Sequence, residues 1–152
     1  MKSRKVSKWI FAGYCVLMLW LLFGRERYAT PEAFWDVFED RFNPVPFETI
    51  LRFVKVLRGD FSGEMKRHAI VNLVGNVIMF VPLGYFPAKL WQNFRPLWRC
   101  ALYGGGIIVC VEVLQLVTLL GTCDFDDLLL NVIGISVGYG IYRLTGNRKI
   151  GG

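Results

Sequence analysis

The chain has 152 residues, of which 54% are hydrophobic and 15% aromatic, and it carries a formal net charge of +6. So large an apolar fraction is unusual for a soluble domain of this length. Basic charge combined with aromatic residues is also typical of nucleic-acid-binding proteins. Here, however, Lys and Arg are concentrated between long uncharged runs, which argues against a nucleic-acid partner.

The first predicted element is a membrane span over about residues 7–24. Residues 9–24 carry no charge, and they follow a basic tail that contains Lys2, Arg4, Lys5 and Lys8. The run ends without the small residues of a signal-peptide cleavage site, so we interpret it as a retained anchor. It is shorter than the roughly 20 residues that cross a bilayer, so the helix must include flanking residues.

Residues 25–68 form the longest segment between the predicted spans, and they contain two apolar series at helical spacing. The first series follows Thr30-Pro31 and consists of Phe34, Trp35, Phe38 and Phe42. The second consists of Phe47, Ile50, Leu51, Val54 and Leu57. We predict two short amphipathic helices on the outer membrane surface. A role limited to capping the helix bundle stays open.

Three further spans are predicted over about residues 69–89, 98–120 and 127–143. Residues 69–88 carry no charge, and residues 100–123 contain only one charged residue, Glu112. The last uncharged run, residues 128–142, extends only about 22 Å as a helix, against about 30 Å of hydrocarbon. Either Asp126 and Asp127 lie near the headgroup layer, or the bilayer thins around this helix.

The charge distribution predicts the orientation of the spans. The N-terminal tail, the loop between the second and third spans and the C-terminal tail contain ten basic residues and no acid. This is the positive-inside pattern, which places both termini in the cytoplasm and basic side chains near anionic lipid headgroups. We therefore predict an all-α, integral membrane four-helix bundle that forms a single domain over residues 1–152.

Proline, small residues and cysteines in the spans have a structural interpretation. Pro82 is expected to free a backbone carbonyl and kink the second span. Gly134 and Gly138 lie four residues apart, a spacing that allows two helices to pack closely. Such pairs more often pack helices within one bundle than join two subunits. The four cysteines form no disulfide framework and are interpreted as packing residues. The oligomeric state is left open.

Polar residues are confined to the outer half of the predicted bundle. On the spans they are Asn72, Asn76, Glu112, Gln115 and Asn131, and at the edge of the membrane they are Asp124, Asp126 and Asp127. A buried acid in a membrane span usually faces the bundle interior and has a function. We predict a polar cavity, open outward, in which these eight residues bind a ligand and Glu112 lies near the floor. The alternative is a hydrogen-bond network that only holds the helices together.

Carboxylates can also bind metal ions, but the sequence does not predict a metal site or a cofactor. Asp124, Asp126 and Asp127 offer oxygen ligands without the spacing of a known calcium loop. His68, the one histidine, precedes the second span and is separate from the acidic residues.

Four motifs lie in order between residues 43 and 138. They are Asn43-Pro44-Val45-Pro46-Phe47, Asn72-x-x-Gly75-Asn76-x-x-x-Phe80-x-Pro82-x-Gly84, Glu112-x-x-Gln115, and Asp124-x-Asp126-Asp127-Leu128 with Asn131, Gly134 and Gly138. In order and spacing they resemble the signatures of the VanZ-like family of bacterial membrane proteins. The resemblance implies a structural role for Pro82, Gly84, Gly134 and Gly138.

The resemblance also implies a multi-pass protein of the bacterial cytoplasmic membrane. The namesake of the family gives resistance to teicoplanin, a lipid-tailed glycopeptide, with much less effect on vancomycin, which has no such tail. Many members carry an arginine shortly before the aspartates, where this chain has Gly121-Thr122-Cys123. If that arginine pairs with an acid or a phosphate in other members, this chain does so through another residue or less effectively.

Three functions remain open from the sequence. The first is a binding protein for membrane lipids, a lipid-tailed glycopeptide or a lipid-linked cell-wall precursor. The second is an enzyme that modifies a lipid or a lipid-linked substrate, with Glu112 and Asp127 as catalytic carboxylates; no Ser/His or Cys/His nucleophile pair supports it. The third is a small transporter that carries protons on Glu112, although the inner half shows no polar path.

Overall fold

The structure is a computed structural model, and it describes residues 2–24, 42–118 and 123–146. The elements, in chain order, are α1 (Lys2–Phe23), β1 (Phe42–Asn43), α2 (Glu48–Arg58), α3 (Gly63–Leu90), a 3-10 turn (Gln92–Phe94), α4 (Leu97–Val117), β2 (Cys123–Asp124) and α5 (Phe125–Gly146). Four of the helices, α1, α3, α4 and α5, are long and apolar enough to cross a membrane. The predicted helical architecture with four candidate spans is confirmed.

Both short apolar runs gain length from flanking residues. The first helix already begins at Lys2, inside the basic tail. The last helix has 22 residues and begins at Phe125, so Asp126 and Asp127 lie in its first turn. A helix of that length extends about 33 Å, enough to cross the hydrocarbon layer. Carboxylates in a first turn also interact favourably with the helix dipole.

The longest helix, α3, is the centre of the bundle. Its N-terminus is capped by Ser62, whose hydroxyl oxygen accepts the backbone N–H of Met65 at 3.3 Å. The helix continues through Pro82 and Pro87 as one element of 28 residues. It makes the most extensive helix contact of the described chain, with α5.

Close backbone approach between α3 and α5 depends on three glycines. A Cβ atom on Gly84 would overlap the carbonyl oxygen of Ile135, and one on Gly138 would overlap that of Val81. Gly134 is placed in the same way against Val77. Residue numbers rise together along this contact, so the two helices run parallel. The glycines predicted to be structural therefore lie where the two backbones meet.

One end of the bundle collects basic residues, and we call it the basic end. Arg4 donates a hydrogen bond to the carbonyl oxygen of Leu90 at 2.6 Å, which ties α1 to the end of α3. The Tyr139 hydroxyl donates to the carbonyl oxygen of Arg95 at 2.7 Å, which ties α5 to the loop before α4. The described basic residues at this end are Arg4, Lys5, Lys8, Lys89, Arg95, Arg99 and Arg143.

The opposite end contains a feature that the sequence did not predict, and we call it the strand end. Here β1 and β2 pair in parallel, with Phe42 opposite Cys123 and Asn43 opposite Asp124. Helix α2 and the first turns of α3 and α5 lie at the same end. The first predicted amphipathic helix falls almost entirely on residues outside those described.

Helix α2 coincides with the second predicted amphipathic helix, and within the protein it buries a polar residue. Thr49 is the buried residue of the helix, while the predicted apolar residues Phe47 and Leu51 are more than half exposed. The helix turns Thr49 towards the aspartates of the strand end, where its hydroxyl group bonds Asp124. Its location on a membrane surface stays a prediction.

Candidate functional site

The site at the strand end is built from the aspartates that follow β2, and Asp126 is the most buried of them. Asp126 has no exposed surface. One carboxylate oxygen accepts the backbone N–H of Phe47 at 2.5 Å, and the other accepts that of Ile50 at 2.9 Å. These donors lie at the N-terminus of α2, where backbone N–H groups have no partner within the helix. A carboxylate there also interacts favourably with the helix dipole.

Asp124 joins the strand pair, α2 and α5. Its Oδ2 accepts the hydroxyl proton of Thr49 at 2.6 Å, and its Oδ1 accepts the backbone N–H of Asp126 at 2.9 Å. Asn43, opposite Asp124 in the strand pair, donates to the Thr49 hydroxyl at 3.4 Å. Both oxygens of Asp124 are therefore occupied, and the residue is 8% exposed.

Asp127 faces α3 and not α2. Its Oδ1 accepts a hydrogen bond from the side-chain amide of Asn76 at 2.5 Å. This bond connects the first turn of α5 with the middle of α3, next to the contact of the glycines. The sequence placed Asn76 and Asp127 in one cluster, and the structure brings them into direct contact.

Glu112 lies in α4 and is 5% exposed. The backbone N–H of Asp124 donates a hydrogen bond to its carboxyl group, and the carboxyl groups of Asp127 and Asp124 lie nearby. Its second oxygen, Oε2, is buried without a hydrogen-bond partner. Glu112 therefore has one free acceptor atom inside the site.

Two asparagines share this property. The side-chain oxygens Asn72 Oδ1 and Asn131 Oδ1 are also buried without a hydrogen-bond partner. Asn72 is one helical turn from Asn76, and Asn131 is one turn from Asp127, so each lies next to the contact between those two residues. Buried polar atoms in proteins almost always have partners, and each exception needs an explanation.

Gln115 is the predicted site residue that the structure places differently. Its side-chain amide donates to the carbonyl oxygen of Leu22 at 3.4 Å, near the end of α1. It shares a helix face with Glu112 but is bonded towards α1, away from the aspartates. Gln115 therefore connects the ends of α1 and α4.

Half of the residues predicted to line the polar, outward-open cavity are buried in the structure. Asp124, Asp126, Glu112 and Asn131 are each less than 10% exposed. The reason is that the aspartates bind donors of α2 and α3 and so draw these elements over the site. The eight predicted residues thus separate into three bonded aspartates, two bonded amides (Asn76 and Gln115) and three residues with an unpaired oxygen. We call these last three the acceptor group: Asn72, Glu112 and Asn131.

The chemistry available to the site is that of hydrogen-bond acceptance. Each unpaired atom is an oxygen, so a ligand would have to offer hydroxyl, amide or ammonium protons. Within the described ranges, no group of three or more His, Cys, Asp or Glu residues is arranged to hold a metal ion. Next to the site, burial raises the pKa of the Cys123 thiol, and the carboxyl groups of Glu112 and Asp124 raise it further.

Sequence reasoning missed Thr49 and the function of Asn43 as its partner. Thr49 is 4% exposed and stands in the first turn of an amphipathic helix, where a polar residue is ordinarily solvated. The only available signal was its position shortly after the Asn43-Pro44-Val45-Pro46-Phe47 motif. The contact with Asp124 spans 75 positions of the chain and has no local pattern.

Comparisons with known proteins point to one family. A family model described as VanZ/LLP1 matches residues 11–146. The chain is also similar to a protein named Protein VanZ from Enterococcus faecium, with 22% identity over 145 residues, 94% of this chain and 77% of that protein. No solved structure matches the chain.

Proposed function

This chain belongs to the VanZ/LLP1 family of multi-pass membrane proteins, and we propose that it binds the polar part of a lipid-tailed molecule of the cell envelope. The ligand classes are a lipid-tailed glycopeptide of the teicoplanin type and a lipid-linked cell-wall precursor. Binding takes place at the strand end, on the acceptor group, and the protein works without catalysing a reaction.

The observation that carries the proposal is the set of three unpaired buried oxygens of Asn72, Glu112 and Asn131. A buried acceptor without a partner costs about 1–3 kcal/mol. Three such atoms, on residues that neighbour Asn76 and the aspartates, are expensive for a purely structural network, whose purpose is to satisfy its members. A ligand rich in hydroxyl or amide protons would remove this cost, and sugars and peptides have such protons.

The charge distribution supports an outward position of the site. The basic end carries the described Lys and Arg residues near the start of α1, around the loop between α3 and α4, and near the end of α5. By the positive-inside rule this end faces the cytoplasm. The strand end then faces the outside, where glycopeptides and lipid-linked wall precursors are found.

Family membership supports the choice of ligand classes. The VanZ-like motifs are carried by the same residues that build the site: Asn72, Asn76, Glu112, Asp124, Asp126, Asp127 and Asn131. Teicoplanin and vancomycin differ in a lipid tail, and a binding site within a membrane protein would favour the tailed compound. We therefore expect the protein to act on the first compound more than on the second.

One observation favours a second candidate function. Glu112 has a free oxygen close to the carboxyl groups of Asp127 and Asp124, and adjacent carboxyl groups can act as general acid and base. An enzyme that modifies a lipid-linked substrate would use Glu112 and Asp127 in this way. Comparative lipid analysis of a deletion strain separates the two functions. An altered lipid or precursor profile would favour the enzyme, and an unchanged one the binding protein.

The proposed function is tested by antibiotic protection in a glycopeptide-sensitive Gram-positive host. The wild-type chain, Glu112→Gln and Asn131→Leu are expressed at matched membrane levels, and growth inhibition by teicoplanin and by vancomycin is scored. Ser136→Ala is the matched control, because Ser136 is exposed on the same helix as Asn131 and bonds only the backbone of Val132.

We expect the wild type and Ser136→Ala to protect against teicoplanin and much less against vancomycin. Both site variants should lose that protection. Equal protection by all four proteins would exclude the acceptor group as the binding site. Failure of the wild type to protect, despite verified membrane expression, would remove the glycopeptide from the ligand classes.

A further inference from the structure

We propose that the groove between α1 and α3 holds one acyl chain of the lipid-tailed molecule, an inference that rests on the proposed function and names the place of the tail. The groove has a volume of about 530 Å³ and lies entirely on two membrane-spanning helices. Its walls include Leu17 and Leu21 of α1 and Val71, Val74 and Ile78 of α3.

The lining of the groove excludes a polar ligand. It consists of aliphatic side chains, the two methionines Met18 and Met79, Gly75, Pro82 and the ring of Tyr14. The one hydroxyl, that of Tyr14, is engaged because it donates to the carbonyl oxygen of Met79 at 2.8 Å. An occupant therefore gains free energy only through apolar contact and needs no hydrogen-bond partner.

The length of the groove matches a lipid tail better than a partner helix. Along α3 it extends from Ile70 to Pro82, which is roughly 18 Å at the rise of an α-helix. The hydrogen bond between Tyr14 and Met79 joins α1 to α3 near the Pro82 end of the groove, away from the strand end. One acyl chain reaches about half of the roughly 30 Å hydrocarbon layer, while a second membrane helix would need a surface along its full depth. The groove thus fits the tail of a molecule from one leaflet.

The groove also lies beside the acceptor group. Val71 lines the groove and its neighbour Asn72 belongs to the acceptor group; Gly75 lines the groove and its neighbour Asn76 bonds Asp127. One helix, α3, therefore presents the apolar groove to α1 and the polar site to α5 at the same depth. A molecule whose tail enters the groove has its polar end at the strand end of the bundle.

Gly75 provides a direct way to close the groove. A Cβ atom at this position would meet nothing within 4 Å, so a larger side chain can grow into the groove without a backbone clash. Gly106 in α4 has the same freedom and does not line the groove. Gly75→Phe and Gly106→Phe are therefore matched variants, one filling the groove and the other facing outward. Ile78→Trp is a second filling variant if Gly75→Phe does not fold.

The experiment maps lipid contacts on the purified full chain. The protein is reconstituted into phosphatidylglycerol vesicles that contain a trace of phosphatidylglycerol with a photoreactive, clickable acyl chain. After irradiation, the modified residues are identified by mass spectrometry. We expect adducts to concentrate on Val71, Val74 and Ile78, to fall about tenfold in Gly75→Phe, as loss of apolar burial predicts, and to remain in Gly106→Phe.

Adducts spread evenly over the lipid-facing residues of all four spans would overturn the proposal, since they would show only the lipid that surrounds any membrane protein. An unchanged adduct pattern in both filling variants would overturn it as well. The assay uses no antibiotic and can be repeated on Glu112→Gln. Groove adducts without antibiotic protection would therefore reject the glycopeptide ligand alone, and protection without groove adducts would reject the tail site alone.

Discussion

The carboxylate of Asp126 holds the backbone of Phe47 across 79 positions of the chain, with 2.5 Å between Oδ1 and the nitrogen. Phe47 has a φ of 66°, a left-handed conformation that residues other than glycine rarely adopt. The contact therefore supports an unfavourable backbone conformation at the entry to α2. The orientation of α2 is fixed in this way by the first turn of α5.

Removal of the Asp126 carboxylate should release α2. In Asp126→Ala, the N–H groups of Phe47 and Ile50 lose their acceptors, at a cost of about 1–3 kcal/mol for each group left buried without a partner. Hydrogen exchange of the α2 amides should become faster, while that of the α3 amides changes less. Asp60→Ala, in the exposed loop after α2, is the control. Unchanged exchange in α2 would show that Asp126 does not hold the helix.

The hydrogen bond between Asn76 and Asp127 should form again when the two side chains are swapped between the two positions. Asn76→Leu and Asp127→Leu each leave the other side chain without its partner and should lower the free energy of unfolding by about 1–3 kcal/mol. The reciprocal double variant, Asn76→Asp with Asp127→Asn, keeps one amide donor and one carboxylate acceptor. We expect it to be more stable than either leucine variant.

A double-mutant cycle in detergent measures this coupling. The cycle combines the two leucine variants with their double variant, and thermal unfolding gives the coupling energy. Additive losses for Asn76→Leu and Asp127→Leu would mean that the two side chains do not interact in the folded protein. A reciprocal variant as unstable as the leucine variants would mean that the negative charge has to reside on α5.

Glycines of α5 should differ sharply in their tolerance of a methyl group. In Gly138→Ala the new Cβ overlaps the backbone oxygen of Val81, which cannot move independently, and we expect a loss of about 1–3 kcal/mol or more. Gly140, two residues further on, has no neighbour within 4 Å of its Cβ position. Gly140→Ala should be neutral or stabilising, since alanine has the higher helix propensity. Equal melting temperatures of the two variants would contradict the close packing of α3 and α5.

The sequence predicted those parts of the fold that have a local signal. The four spans follow from uncharged runs, and Gly134 and Gly138 follow from small residues at the spacing of one helical face. The strand pair β1–β2 has two residues in each strand, too few for a periodic pattern. Because the strand pair was not predicted, the burial of Asp124 opposite Asn43 was not predicted either.

The three aspartates show why the site could be predicted only as a group. In the sequence Asp124, Asp126 and Asp127 are equivalent carboxylates at the edge of a span. In the structure the first bonds Thr49, the second bonds the α2 backbone and the third bonds Asn76. These assignments depend on the rotation of α5 and on partners more than 50 positions away, neither of which has a local sequence pattern.

Glu112→Gln should separate stability from function. A glutamine at this position keeps an oxygen that can accept the Asp124 N–H, and it removes the cost of burying an ionisable carboxyl group inside the bundle. We expect the melting temperature in detergent to stay equal or rise while protection against teicoplanin is lost, as is common for strained functional sites. A variant that loses both properties together would indicate that Glu112 is mainly structural. Asp126→Ala, which should lose both, is the reference for that outcome.

The orientation of the bundle can be tested with two exposed loop positions. Asp60, between α2 and α3, lies at the strand end, and Asn93, between α3 and α4, lies at the basic end. With the four native cysteines replaced by alanine, Asp60→Cys should react with a membrane-impermeant maleimide on intact cells. Asn93→Cys should react only after the membrane is permeabilised, because the positive-inside rule predicts that the end with the basic residues faces the cytoplasm. The reverse labelling pattern would place the acceptor group on the cytoplasmic side, where an extracellular antibiotic does not reach it, and would leave a cytoplasmic lipid-linked molecule as the ligand class.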